Sequence, residues 1–236
     1  MITWKELRKK TMPPEKKAST NKCIVGHYLV RPLSDIISIP LIEAGVRATP
    51  VTIFSSIFPI LAFAFFAFLK GDAGFWLGWL SLLVWNILDG VDGNIARYTD
   101  TCSRKGELWD ATVGWAAVVA FYFGMGMVAA YKPGIYLINN CWFVVMGAMA
   151  SIANLFPRLI MQKKNVLMGT ESVKELKERA DYGVLRLLVF NLTSINGLAA
   201  VLMAVAYLFD VMGLCTIFYF LLNAAIAIGS LYKLLR

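Results

Sequence analysis

Three aspartates with small residues and an arginine between them carry the chemistry of this chain. Asp89, Asp92 and Asp110 fall in the stretch 88–110, with an apolar run leading in and another leading out. At membrane depth a charge costs roughly 2.5–3.5 kcal/mol, so such a cluster needs a positive partner, and a divalent cation is the best candidate. At 3.6 residues per turn, Asp89, Asp92, Gly93 and Ala96 share one side of a helix. Asp89 and Asp92 are spaced i, i+3, so their carboxylates can converge on one ion. Gly93 and Ala96 remove bulk beside them and let a ligand approach the backbone. Arg97, at the edge of that face, offers a planar fork suited to phosphate. Gly106 and Asp110 are an i, i+4 pair on the next helix, so Asp110 can face the first two acids. Hard oxygen ligands, a floor of small residues and an arginine describe a site for Mg²⁺ (or Mn²⁺) holding a diphosphate.

The elements that must position these residues are apolar helices. Hydrophobic residues make up 58% of the 236, and the mean hydropathy is +0.64. That excludes an ordinary soluble domain. Six runs approach the roughly 20 residues needed to cross a bilayer: about 51–69, 73–93, 108–130, 135–157, 184–208 and 211–232. The third begins within the acidic stretch. Lys70–Asp72 and Lys132–Gly134 read as tight turns between spans. Residues 26–45 mix apolar and charged residues, with Pro32 suited to a helix start, and read as an amphipathic helix lying along the membrane surface. The expected fold is therefore an all-α integral membrane protein of six transmembrane helices behind an N-terminal interfacial helix. Residues 1–25 are expected to be a basic cytoplasmic arm, in which Pro13-Pro14 breaks any helix and the lysines can touch anionic headgroups. Residues 26–236 form the membrane domain.

The spacing Asp-x2-Asp-Gly-x2-Ala-Arg-x8-Gly-x3-Asp, carried by Asp89, Asp92, Gly93, Ala96, Arg97, Gly106 and Asp110, resembles the motif of the CDP-alcohol phosphotransferase (CDP-alcohol phosphatidyltransferase) family. The family motif has a fourth Asp four residues after the third; here Gly114 takes that place. The resemblance implies that a hydroxyl attacks the phosphorus of a CDP-linked alcohol and CMP leaves. It implies that Asp89, Asp92 and Asp110 bind Mg²⁺ or Mn²⁺. By the same resemblance Gly93, Ala96, Arg97 and Gly106 would accommodate the CDP moiety, and Asp92 and Asp110 would be the catalytic residues. It also implies a juxtamembrane helix before the first span, in agreement with residues 26–45. The implied partners are a CDP-alcohol donor, with CDP-diacylglycerol the first choice, a lipid or small polar alcohol acceptor, and membrane lipids. Within the family the fourth Asp is the usual general base and a ligand of a second metal. Loss of a general base typically costs about 10²–10⁴ in rate. Glu107 lies seven residues before Gly114, about 10 Å along the helix, and is a poor substitute. The alternative to an active enzyme is thus an impaired relative that binds nucleotide or lipid.

Charge gives the orientation. Of the 23 Lys and Arg, only Lys70 and Lys132 face outward when the amino terminus is placed in the cytoplasm. The positive-inside rule then opens the motif to the cytoplasm of a plasma or inner membrane. The same distribution explains the net charge of +8 without nucleic acid. Arg158 and Arg186 stand at the cytoplasmic ends of spans four and five. Either they anchor those ends, or they meet the phosphate of a phosphorylated acceptor. Residues 171–180 carry i, i+3 and i, i+4 charge pairs suited to a short surface helix. Asn191, Thr193, Ser194 and Asn196 put polar groups into span five, where they bond to neighbouring helices or line the cavity. Small residues in span three (Gly124, Gly126, Ala129) and span four (Gly147, Ala148, Ala150) suit close packing inside the bundle or in the expected homodimer. Four scattered cysteines form no disulfide framework or zinc site, His27 has no metal-ligand partner, and no cleavable signal peptide is visible. A transporter is disfavoured because the acids sit together rather than tracing a path across the membrane.

Overall fold

The structure, a computed structural model, describes residues 2–12, 23–134, 139–168 and 184–235. All regular elements among them are helical: α1 (Trp4–Thr11), a π-helical turn (Gly26–Val30) running into α2 (Arg31–Glu43), α3 (Ala48–Ser55), α4 (Ile57–Phe68), α5 (Asp72–Tyr98), α6 (Arg104–Tyr131), α7 (Cys141–Met168), α8 (Val184–Thr193), α9 (Ala199–Leu208) and α10 (Met212–Leu235). Among the described residues, five segments are long and apolar enough to cross a membrane: Ala48–Phe68, Asp72–Tyr98, Arg104–Tyr131, Cys141–Lys164 and Met212–Tyr232. The expected span at 184–208 is instead two short helices, α8 and α9, joined by the turn 194–198. Its polar residues explain the break. The Asn191 carbonyl oxygen accepts from the Leu198 N–H, the Ser194 N–H donates to Phe190, and Gly197 folds tightly against the Asn191 backbone. The polar groups a broken helix strands in an apolar setting must find partners. Tyr122 of α6 donates its hydroxyl to the Thr193 carbonyl at 2.7 Å, the Gly26 N–H donates to the Asn196 carbonyl at 2.7 Å, and the Trp79 indole donates to Ala200 at 2.8 Å.

The bundle core lies between α4, α5, α6, α7 and α10, around Phe66, Phe75, Phe121, Tyr122, Met125, Phe143 and Tyr219. Small residues bring α6 and α7 together: a Cβ on Gly126 would run into the Phe143 carbonyl and the Gly147 backbone. Gly124 lies under the Phe66 ring in the same way. These small residues are therefore used within the chain. Gly126→Val should cost about 1–3 kcal/mol through overpacking. Thermal melting in detergent would check it, and an unchanged melting temperature would contradict this packing.

One element differs from expectation at the amino terminus. The segment expected to be an arm contains a packed helix, because Thr3 and Glu6 close a capping box over the start of α1. Leu7 and Thr11 of that helix are fully buried, against α2 and α5. Residues 13–22 lie outside the described ones, as does the charge-paired stretch 171–180. In α2 the polar Ser34, Asp35 and Ser38 are buried while Tyr28, Leu33, Ile36 and Ile37 near and along it are exposed. Its polar face turns inward onto α5, where Gly90 leaves room for the Ser34 hydroxyl to donate to the Val30 and Ile87 carbonyls.

Candidate active site

The motif straddles a helical hairpin. Asp89, Asp92, Gly93, Ala96 and Arg97 occupy the last turns of α5, and Gly106 and Asp110 the first turns of α6. A five-residue link, 99–103, joins them, with Asp100 at a positive φ of 54°. Ser103 caps α6 by accepting from the Gly106 N–H at 3.1 Å. All seven residues line one open cavity of about 890 Å³, together with Arg31 of α2, Thr49 and Thr52 of α3, and Arg104 and Lys105. The i, i+3, i+4 spacing did what helical periodicity requires, since the small and acidic residues of α5 face the same space.

Within the cavity the three acids have different surroundings. Asp92 is buried beside Thr52, and its Oδ2 has no hydrogen-bond partner. Asp89 is half-buried and draws the Arg31 guanidinium electrostatically. Asp110 is exposed on α6, close enough to Asp92 for their charges to repel. Among the described residues no three of His, Cys, Asp and Glu come close enough together to hold a metal ion. The three carboxylates therefore share a cavity without meeting at one point. Mutual repulsion and the pull of Arg31 on Asp89 both act against their convergence. The lone Oδ2 of Asp92 nonetheless suits a cation, because a buried carboxylate oxygen without a partner is costly.

Arg97 lies over Gly93, where a Cβ would come within 2.8 Å of its Nη2. It donates from Nε to the Thr11 carbonyl at 3.0 Å and from Nη2 to Asn94 Oδ1 at 3.3 Å. Asn94, wholly buried, also accepts from Arg31 Nη1 at 3.4 Å, and its amide donates to Asp35 Oδ1 at 3.0 Å and Ser38 Oγ at 3.2 Å. Asp35 in turn pairs with Arg8 at 2.8 Å. Burial lowers the pKa of Arg31, opposed by the charges of Asp35 and Asp89; a guanidinium stays charged regardless.

Sequence reading missed Arg31, Asn94, Asp35 and the cavity threonines. One signal was available: Ser34, Asp35 and Ser38 recur at helical spacing on one face of an otherwise apolar helix. Arg158 lies within α7, which continues past it to Met168, and it does not line the cavity. Its charge is instead felt at the Tyr122 hydroxyl. Arg186 lies in α8. Gly114 faces open space, with nothing within 4 Å of where its Cβ would be.

Acidic groups, guanidinium groups and helix-floor glycines thus surround one cavity in an all-helical bundle whose long helices are apolar enough to cross a membrane. The family model for CDP-alcohol phosphatidyltransferases matches residues 46–212, and the chain belongs to that family. This is a family of transferases, acting between a CDP-alcohol donor and an alcohol acceptor in lipid synthesis. A search of curated proteins gave no match.

Proposed function

We propose that this chain transfers the substituted phosphate of a CDP-alcohol, CDP-diacylglycerol in the first instance, to an acceptor hydroxyl in phospholipid synthesis. The new bond joins the acceptor oxygen to the donor phosphorus, the bond from that phosphorus to the CMP oxygen breaks, and CMP leaves. The observation that carries this reading is the gathering of all seven motif residues around one cavity of about 890 Å³. The buried, unpartnered Oδ2 of Asp92 would take a Mg²⁺ or Mn²⁺ ion, with Asp89 and Asp110 drawn in from the walls of the same cavity, and the ion would neutralise diphosphate charge. Gly93, Ala96 and Gly106 leave room for the nucleotide, and Arg97 offers its fork to a phosphate. Asp92 and Asp110 are the residues nearest to catalytic roles. The test is CMP release by the purified protein with a panel of CDP-alcohols and acceptors, with and without Mg²⁺ or Mn²⁺. No CMP from any pair would defeat the reading.

A second reading, nucleotide or lipid binding without turnover, is favoured by Gly114, which leaves the general-base position without a side chain. Nucleotide binding with no CMP release would select it.

The same proposal includes a cytoplasmic site and amino terminus, supported by the charge distribution, and six crossings, with α8 and α9 together as a broken fifth. It includes α2 as an interfacial helix, supported by its exposed apolar face. Assembly as a homodimer is also proposed; its interface must avoid the α6–α7 glycines, which are already packed. Arg158 and Arg186 are proposed to anchor the cytoplasmic ends of their helices, since Arg158 does not line the cavity. On that basis Arg158→Gln and Arg186→Gln should each leave the acceptor KM unchanged. A severalfold rise in KM with kcat little changed would assign them instead to the phosphate of a phosphorylated acceptor.

A further inference from the structure

We propose that Arg31 is a second phosphate-binding guanidinium of this site, forming with Arg97 a two-pronged clamp on the diphosphate of a nucleoside diphosphate. The proposal rests on the donor reading above. It goes beyond the family match, which begins at residue 46 and so does not reach Arg31.

The geometry is a shared acceptor. Arg31 Nη1 and Arg97 Nη2 both donate to Asn94 Oδ1, at 3.4 and 3.3 Å. One neutral oxygen therefore holds two guanidinium groups side by side. The direction of that oxygen is fixed, because the Asn94 amide nitrogen has two acceptors of its own, Asp35 Oδ1 and Ser38 Oγ. Asn94 is wholly buried, so the arrangement is enclosed and not a surface coincidence. Both arginines line the cavity that holds the motif aspartates.

The charge arrangement points to a ligand. Arg31 and Arg97 repel each other. Asp35, the carboxylate that attracts Arg31 most, also pairs with Arg8 at 2.8 Å. Asp89 attracts Arg31, and Asp92 and Asp110 attract Arg97, so the acids of the site supply part of the compensation. A diphosphate supplies more, and two guanidinium forks match two adjacent phosphate groups in shape as well as charge. A single phosphate can engage one fork fully and the other only in part, so the clamp should discriminate by phosphate number.

The competing account is that Arg31 merely pegs α2 to α5. The two are separated by titrating the full-length protein in detergent with CDP, CMP and cytidine in the presence of Mg²⁺, alongside melting curves without ligand. The expected result is that Arg31→Gln weakens CDP at least tenfold, weakens CMP less, and leaves the melting temperature within a few degrees of wild type. If Arg31→Gln unfolds the protein, Arg31→Lys decides. It keeps the charge and loses the fork, and should still cost CDP affinity severalfold. Wild-type affinity for CDP in a folded Arg31→Gln or Arg31→Lys protein would overturn the clamp and leave the donor reading standing. A wild-type protein that binds no CDP would overturn both.

Discussion

Replacing Asp92 by Asn should lower CMP release by a factor of about 10²–10⁴ or more, the scale expected when a charged group acting on the reacting phosphate is lost. The substitution is nearly isosteric, so packing around the side chain should survive. What changes is charge. Asp92 is buried in α5 with one oxygen unpartnered, and a carboxylate at membrane depth carries a cost of about 2.5–3.5 kcal/mol. The neutral amide removes that cost. Asp92→Asn should therefore melt no lower than wild type in the absence of divalent cation, and higher if the full cost applies. Stability and activity then move in opposite directions, which a merely structural Asp92 would not allow. Wild type should gain stability with Mg²⁺ and CDP, by about 2.7 kcal/mol at a hundred times the dissociation constant, and the variant should lose most of that gain. A variant that melts well below wild type yet turns over normally would refute this account of Asp92.

The contrast between Asp92 and Asn94 shows what a sequence of this kind discloses. Asp89, Asp92, Gly93 and Ala96 share a helix face by periodicity alone, and the structure places them around one cavity. The long spans were legible for the same reason, since an apolar run of sufficient length has few alternatives in an aqueous cell. Asn94 was not legible as a hub. Its partners are Asp35, Ser38, Arg31 and Arg97, and all but Arg97 are more than fifty residues away in sequence. No local period encodes such pairings. The same holds for α8 and α9. The polar residues at 191–196 were visible, but whether they bond across helices or break their own depends on Tyr122 and on the Gly26 N–H standing opposite. At α1 the sequence analysis did not use the capping pair Thr3 and Glu6, and the buried contacts of Leu7 that hold the helix cannot be seen in a basic segment. Convergence of three carboxylates on an ion is likewise beyond what a helical period encodes, because Asp89 feels Arg31 and Asp92 feels Asp110, each from another helix.

Restoring the fourth acid should have the largest gain of function. Gly114→Asp places a carboxylate one turn beyond Asp110, on the same face of α6. Space is not the obstacle, because nothing lies within 4 Å of the new Cβ position. The helix itself gains a few tenths of a kcal/mol from losing a glycine, and repulsion from Asp110 at i, i+4 takes back a similar amount. The remaining cost is the charge at membrane depth, up to about 2.5–3.5 kcal/mol. A cation shared with Asp110 would offset it. The variant should therefore melt lower than wild type without Mg²⁺ and recover when Mg²⁺ is added. If Gly114 marks a missing general base, CMP release should rise by up to about 10²–10⁴-fold. A wild type that binds CDP without turnover would become an enzyme by this one substitution. If neither turnover nor the Mg²⁺ dependence of melting changes, the register of Gly106 and Asp110 against the family motif is wrong, and the assignment of Asp110 falls with it.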